Sequence, residues 1–260
     1  MIKLRNEEML RQYAPAIFAE EASPRTSSRY TFLPTTELLG MLGEAGWHPH
    51  SAQQVRSRDD AGKKYGKHIV RLRHGDFNSG SLEVGDSVPE MVVFNSHDGL
   101  AGHKLLAGIF RMVCSNGMIV SEHDFGAIHL RHIGFDRKDV FAAADRLANN
   151  VTKVNDTIND WKNISLTPDV ERKFFTDASR IRWDSPDENI VTNVSTRRRT
   201  EDHHKDLWTT FNVAQENLIR GGFVANRREA RHIQSIQKDL DINTKLWDLT
   251  NTYSRDLTVA

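Results

Sequence analysis

Residue types able to do chemistry concentrate in one stretch of this sequence, Asn95 to Val120, NSHDGLAGHKLLAGIFRMVCSNGMIV. It holds the chain's one cysteine, Cys114, together with His97, Asp98 and His103, and His123 follows closely. A cysteine nucleophile needs a neighbouring base to hold it as the thiolate, and these histidines could supply one. The competing reading is preferred: a cysteine in an apolar strand is commonly buried as a small hydrophobe. A metal held by His97, Asp98 and His103 would need ligands five and six residues apart to converge across a turn, which matches no compact metal pattern, and 12 histidines make chance clusters expected. Asp98-Gly99 and Asn116-Gly117 are better read as turns, because Asx-Gly pairs tolerate the positive φ of tight connections. GLAGHK lacks the spacing of a phosphate-binding loop, and no Ser-His-Asp order stands out. An enzyme built on Asn95–Val120 is therefore the least favoured reading; no catalytic residue is assigned, and no metal or cofactor is expected.

The elements that must position these residues read as α+β: an N-terminal helix plus an antiparallel β-meander, followed by a C-terminal set of helices. Residues 1–28 are expected to form a peripheral arm, with an amphipathic segment from Glu7 to Glu21 and a helix-breaking loop, ASPRTSSR. Residues 29–135 are expected to be the sheet region. It opens with a short strand and a turn at Pro34, then a helix capped by Thr35 or Thr36 and stopped at Gly46. Four strands follow, PHSAQQVRSR, KHIVRLRH, SVPEMVVFNSH and HKLLAGIFRMVCSN. Alternation in HIVRLRH sets Ile69, Arg71 and Arg73 opposite Val70 and Leu72, which predicts one basic, solvated face. Residues 136–260 are expected to be helical and to pack on the sheet. Thr167 before Pro168 marks one helix start, Gly221-Gly222 marks a stop, and DSPDENIVTNVSTRRRTED is expected to be an exposed polar loop.

Composition narrows the function classes. Of 260 residues, 35 are Lys or Arg and 35 Asp or Glu, so no global attraction to nucleic acid or membrane follows from net charge. No stretch approaches the ~20 apolar residues of a membrane span. One cysteine excludes an internal disulfide framework, and MIKLRNEEMLRQYAPAIF has no apolar signal core, so a cytoplasmic protein is expected.

Local basic runs remain. RIRW, TRRRT and NRREARH gather guanidinium groups in the second half of the chain. Single-stranded nucleic acid is held by cations that track the backbone and aromatic rings that stack on bases. The candidate nucleic-acid contacts are Arg71, Arg73, Arg180, Arg182, Trp183, Arg197, Arg198, Arg199, Arg227 and Arg228, with Tyr65 and Phe77 as further ring platforms. The bland alternative is that such runs are solvated helix faces, with Arg197–Arg199 neutralised by Glu201 and Asp202.

FNSHDG, then FRMVCSNG, then LWTTFNVAQENLIRGG resemble a phage- and plasmid-borne family known as a domain of unknown function (number 932), over about Tyr30 to Asn251. The motif residues are His97, Asp98, Gly99, Arg111, Cys114, Asn116, Gly117, Asn212, Gln215 and Glu216, read as structural. The resemblance implies mobile-element context and carries no active site. The proteins of this size that mobile elements encode include single-strand annealing proteins, which are built on a β-meander with helices and assemble into rings. The expectation is a homo-oligomeric protein that binds single-stranded DNA in recombination or replication. The alternative is a host-interaction or anti-defence protein whose partner is a bacterial host protein.

Overall fold

The structure is a computed structural model, and it describes residues 2–3, 7–28, 30–75, 87–100, 103–111, 117–119, 128–130, 137–225 and 228–259. The fold is α+β, as the sequence predicts: an N-terminal helix, an antiparallel meander, then helices. The chain divides into two compact units, Met1–Thr152 and Lys153–Ala260.

In the first unit the strands run β1 (Ile2–Lys3), β2 (Trp47–Gln54), β3 (His68–His74), β4 (Ser87–Asn95), β5 (His103–Arg111), β6 (Gly117–Ile119) and β7 (Ile128–Leu130). Strands β1 to β6 pair in sequence order. The edge of β5 away from β4 is shared, with Gly108–Phe110 facing β6 and His103–Leu105 facing β7. The four strands expected from alternation are β2 to β5. Strand β2 starts earlier than its sequence signal because Pro49 sits beside a register irregularity rather than at the strand's entrance.

Helix α1 (Glu7–Tyr13) and a 3-10 turn (Pro15–Phe18) precede helix α2 (Thr35–Glu44). These first residues are not a peripheral arm: Ile2 and Lys3 pair with Ala52 and Ser51, and Ala14, Ala16 and Ile17 are wholly buried. The expected strand before Pro34 is absent; Tyr30 to Leu33 run without regular structure. Helix α2 buries Leu38, Leu39, Met41 and Leu42, the one-sided pattern that makes an amphipathic helix dock. It ends at Gly46, whose φ of 83° suits only glycine, and a Cβ there would meet His74 Nε2 at 2.4 Å. Trp47 then packs inward, 5.3 Å from the His74 ring.

Helix α3 (Asp60–Tyr65) lies between β2 and β3, with the Asp59 side chain accepting from Gly62 N as its N-cap. Helix α4 (Arg137–Asn163) carries the chain from the first unit's residues into the second's, with Val140 and Ala144 buried in its first half.

The second unit holds α5 (Pro168–Arg180), α6 (Glu188–Val194), a 3-10 turn (Thr200–His203), α7 (Leu207–Arg220), the hairpin β8 (Phe223–Ala225) and β9 (Arg228–Ala230), and α8 (Ile236–Val259). Thr167, Asp187 and Asp206 cap α5, α6 and α7 through side-chain oxygens. Its core is aromatic: the Trp161 ring lies 4.4 Å from Trp247 and 5.6 Å from Phe211, and Trp208 stacks on Phe211 at 5.5 Å. The run expected to be an exposed loop contains α6, which buries Ile190, Val191 and Val194. Among the described residues no helix is long and apolar enough to cross a membrane.

Candidate nucleic-acid interface

Of the ten cations and rings selected from sequence, the nine among the described residues separate into three settings. Arg71 and Arg73 are inside the first unit. Their strand, β3, is buried along both faces from His68 to Arg73. Glu90 on β4 lies between the two guanidinium groups: Arg71 Nη1 donates to Oε2 at 3.2 Å and Arg73 Nε donates to Oε1 at 2.9 Å. The side chains of Arg71, Arg73 and Glu90 are 1%, 7% and 0% exposed. The expected basic, solvated face is therefore corrected. Alternation of charged residues reported a shared face faithfully, and that face carries an internal counter-ion instead of water.

Arg197, Arg198 and Arg199 form a second network, with Arg197 and Arg199 half-buried and Arg198 exposed. Arg197 donates to the Asp202 carbonyl at 2.6 Å and pairs with Glu171. Arg198 Nε donates to Asn217 Oδ1 at 2.9 Å. Arg199 Nη2 donates to Glu216 Oε1 at 2.7 Å while Nη1 reaches Oε2, a bidentate pair. Glu216 and Asn217 belong to the QEN motif of α7, so two stretches singled out separately in the sequence are partners of each other. The rest of the motif is also internal: Gln215 Nε2 donates to Asn243 Oδ1 at 3.0 Å, and Asn212 Nδ2 to the Trp208 carbonyl at 2.6 Å. Arg197 and Arg199 thus tie the loop to α5 and α7 through carboxylates, whereas Arg198 is exposed and bonds only an amide oxygen with its side chain among the described residues.

The third set is brought together. Helix α5 ends at Arg180, which pairs with Asp177 yet keeps 59% of its side chain exposed. Arg182 reaches across to the β8–β9 hairpin, its Nη2 donating to the Arg231 carbonyl at 2.6 Å and its Nη1 to the Leu218 carbonyl. Burial lowers the Arg182 pKa. The Trp183 ring lies 4.9 Å below the Arg182 guanidinium and 5.5 Å from the ring of Phe223, inclined at 49°. The ladder pairs Phe223 with Ala230 and Ala225 with Arg228. Phe223, Ala225, Ala230 and Arg228 thus share one face of the hairpin, and Val224 and Glu229 share the other. Arg228 is exposed, and no carboxylate lies within ion-pair reach of it or of Arg231 among the described residues. The hairpin itself is pinned at its base. Gly221 has φ 62°, and a Cβ on it would meet the Ala230 carbonyl oxygen at 2.0 Å.

Phe223 was missed in the sequence, where GGF reads only as a helix stop; an aromatic directly after a Gly-Gly stop was the available signal. Tyr65 is no platform, being 6% exposed with its hydroxyl donating to Glu21 at 3.2 Å. Phe77, Cys114, Asn116, His123 and Arg227 lie outside the described residues.

His97, the first residue of the HDG motif, lies in the first unit's interior, where Thr35, His68, Asn95 and His97 are all 0% exposed, while Gly99 is exposed. Thr35 Oγ1 lies 2.9 Å from His68 Nε2, 3.1 Å from His97 Nε2 and 2.9 Å from Asn95 Nδ2. Proton positions follow from donor and acceptor capacity. His68 Nδ1 faces the Gly66 carbonyl at 3.0 Å, which can only accept, so the neutral ring carries its proton there and Nε2 accepts from the Thr35 hydroxyl. The single hydroxyl proton being committed, His97 Nε2 and Asn95 Nδ2 donate to the two Thr35 lone pairs. Burial depresses the His68 pKa to about 4, in keeping with the neutral ring.

Thr35 was expected to be a helix cap, but Pro34 holds the cap position without a side-chain bond and Thr35 serves this network instead. Asp98 and Gly99 form the expected turn: Asp98 Oδ1 accepts from Ser96 Oγ at 2.7 Å and from Leu100 N at 2.9 Å, and Gly99 has φ 76°. Tyr30, whose hydroxyl donates to the Ser96 carbonyl at 3.3 Å, has its pKa pushed up to about 12 by burial and by Asp98. Arg111 and Gly117 fall at the end of β5 and the start of β6.

Comparison with known proteins gives the chain its relatives. The family profile described as Domain of unknown function (DUF932) matches residues 24–247. The UPF0380 protein YfjQ of Escherichia coli (strain K12) is 32% identical over 255 residues, covering 96% of this chain and 91% of that protein. The UPF0380 protein YafZ of the same strain is 32% identical over 250 residues, covering 94% and 89%. No solved structure gives a significant match. A profile spanning most of the chain, and relatives aligned over nearly their whole length, establish that this protein belongs to the DUF932 family.

Proposed function

We propose that the protein is a non-enzymatic, cytoplasmic, oligomeric DNA-binding protein of a mobile element, and that it holds single-stranded DNA against the hairpin face of its second unit. The observation that carries this reading is the Trp183–Phe223 ring pair at 5.5 Å, with Arg228 on the face of Phe223. A strand binder needs aromatic surface for bases and cations for phosphates on one element. Arg231 adds a further cation and Arg180 another that is paired with Asp177, against Asp184 and Glu229 as the other acids nearby in sequence. Arg182 has a positioning role: its guanidinium holds the end of α5 to the hairpin.

The test is fluorescence anisotropy of a labelled oligothymidylate with the full chain across a salt series. Trp183→Ala is expected to lose about tenfold in affinity, since stacking on one base is worth about 1–3 kcal/mol. Arg228→Ala should lower the slope of log K against log salt by about 0.7, the release expected for one single-strand phosphate. Absent binding, or binding unaltered in Trp183→Ala, rejects the reading. The runner-up, a surface for a bacterial host protein, draws on Val224, which stands 60% exposed on the opposite hairpin face. Capture of a stoichiometric partner through Val224→Asp-sensitive binding, with no oligonucleotide retained, would decide for it.

A further inference from the structure

The first unit presents a separate cationic surface that the sequence reading passed over as a strand end and a turn. It lies at the connection from β2 to β3, where the chain leaves Gln54, forms α3 and returns at His68. Arg25, Arg56, Arg58, Lys63 and Lys64 are exposed there and Lys67 is half-buried. Lys63 pairs with Asp60 at 2.9 Å and Lys64 with Glu21 at 2.8 Å. No carboxylate lies within ion-pair distance of Arg25, Arg56, Arg58 or Lys67 among the described residues. Residues 20–25 and 55–68 together carry these six cations and four carboxylates, Glu20, Glu21, Asp59 and Asp60, with Asp98 the further acid beside the Arg25 segment.

Asp59 is also committed locally. Its carboxylate caps α3 at Gly62 N and accepts from Ser57 Oγ at 3.1 Å. The hydrogen bonds from Gly62 N and Ser57 lower its pKa, and the charges of Arg25 and Lys63 add to this. This contrasts with Arg71, Arg73, Arg197 and Arg199, each of which pairs with a carboxylate.

The surface is built on a fixed frame. Val55 N donates to the Lys67 carbonyl at 2.9 Å, closing the two legs of the connection. Gln54 holds both sides, its Nε2 donating to the Lys63 carbonyl at 2.7 Å and its Oε1 accepting from Ala16 N at 2.9 Å. His68 anchors the returning leg through Gly66. Cations on an ordered loop lose less freedom on meeting an anion than cations on a loose one. Tyr65 is buried, so this surface offers no ring for a base to stack on. Its chemistry suits evenly spaced phosphates read without regard to sequence.

We infer that the β2–β3 connection is a second nucleic-acid contact, gripping the phosphate backbone of DNA through Arg56, Arg58 and Lys67. The inference rests on the reading that the ligand is DNA, and its test separates the two. The full chain carrying Arg56→Ala, Arg58→Ala and Lys67→Ala together is compared with wild type and with Trp183→Ala on the same oligothymidylate. The expected result is a slope of log K against log salt lower by about 2, from three phosphates at about 0.7 each. Affinity at low salt should fall at least tenfold, with an unchanged unfolding midpoint, because these side chains lack internal partners. Arg56→Glu with Arg58→Glu should weaken binding further. An unchanged slope in the triple variant, while Trp183→Ala still loses affinity, overturns this contact and leaves the hairpin reading standing. A reduced slope with Trp183→Ala unaffected does the reverse. Absent oligonucleotide binding, or retention on phosphatidylserine vesicles in its place, overturns it as well.

Discussion

Arg199 grips Glu216 with both terminal nitrogens, Nη2 at 2.7 Å from Oε1 and Nη1 on Oε2, and so ties the polar loop after α6 to the middle of α7. Glu216 is 7% exposed and Arg199 23%. Removing one partner of such a pair leaves a charge with little solvent. Arg199→Ala should therefore destabilise the protein by about 3 kcal/mol, the lower end for broken buried pairs because Arg220 still reaches Glu216. Urea unfolding checks this. Oligonucleotide affinity per folded molecule should stay at the wild-type value. A variant of wild-type stability with weakened DNA binding would return Arg199 to the set of phosphate contacts.

The same burial governs Glu90. Glu90→Ala leaves two guanidinium groups in the interior without their shared carboxylate, and a loss of about 4 kcal/mol is expected. The loss should be seen as faster hydrogen exchange across β3 and β4, with the helices of Lys153–Ala260 unaffected. A loss under about 1 kcal/mol would mean that water reaches these arginines.

The sheet was legible in the sequence because alternation and Asx-Gly turns are local signals. Strands β2 to β5 and the Asp98-Gly99 turn follow from residues within a few positions of each other. The fate of the arginines was legible only in part: Asp202 does pair with Arg199 as the local alternative held, but the other partners are carboxylates further along the chain. Glu90 lies 19 residues from Arg71, and Glu216 lies 17 from Arg199. A charged residue at a strand position reads as solvated until its counter-ion is located. Helix α6 was hidden for another reason: three apolar residues in a seven-residue helix are outweighed by the polar run around them, although Asp187 had the cap chemistry to announce it. Of the site, Trp183 and Arg228 were legible as residue types; that Phe223 joins them required the hairpin.

Thr35 satisfies three side chains at once, which makes it a sharp test of the proton assignment. Thr35→Val keeps the shape and removes the oxygen, leaving Asn95 Nδ2 and the Nε2 atoms of His68 and His97 without their common partner. A destabilisation of about 3 kcal/mol is expected. Thr35→Ser keeps the hydroxyl and loses one methyl, about 1 kcal/mol. Equal losses in the two variants would show that packing, and not the hydroxyl, holds this cluster.

His68 should make stability fall in mild acid. Its folded pKa is about 4 against 6.5 ordinarily, so the unfolded chain binds the proton more readily. The contribution of the neutral ring is fully present above pH 6.5. It declines as pH falls below that value and is exhausted near pH 4, for a total of about 3 kcal/mol at about 1.4 kcal/mol per unit. Geometry gives the same sign: a proton on Nε2 would face a hydroxyl whose two lone pairs already accept from His97 and Asn95. The charges beside the ring are few, Asp98 being the one that acts on it to raise the pKa. Urea unfolding of the full chain at pH 7.5, 6, 5 and 4.5 measures the slope. His68→Gln, with a side-chain amide that does not titrate in this range, should be less stable at pH 7.5 yet show a flatter decline towards pH 4.5. Parallel declines in wild type and variant would assign the acid sensitivity to another group.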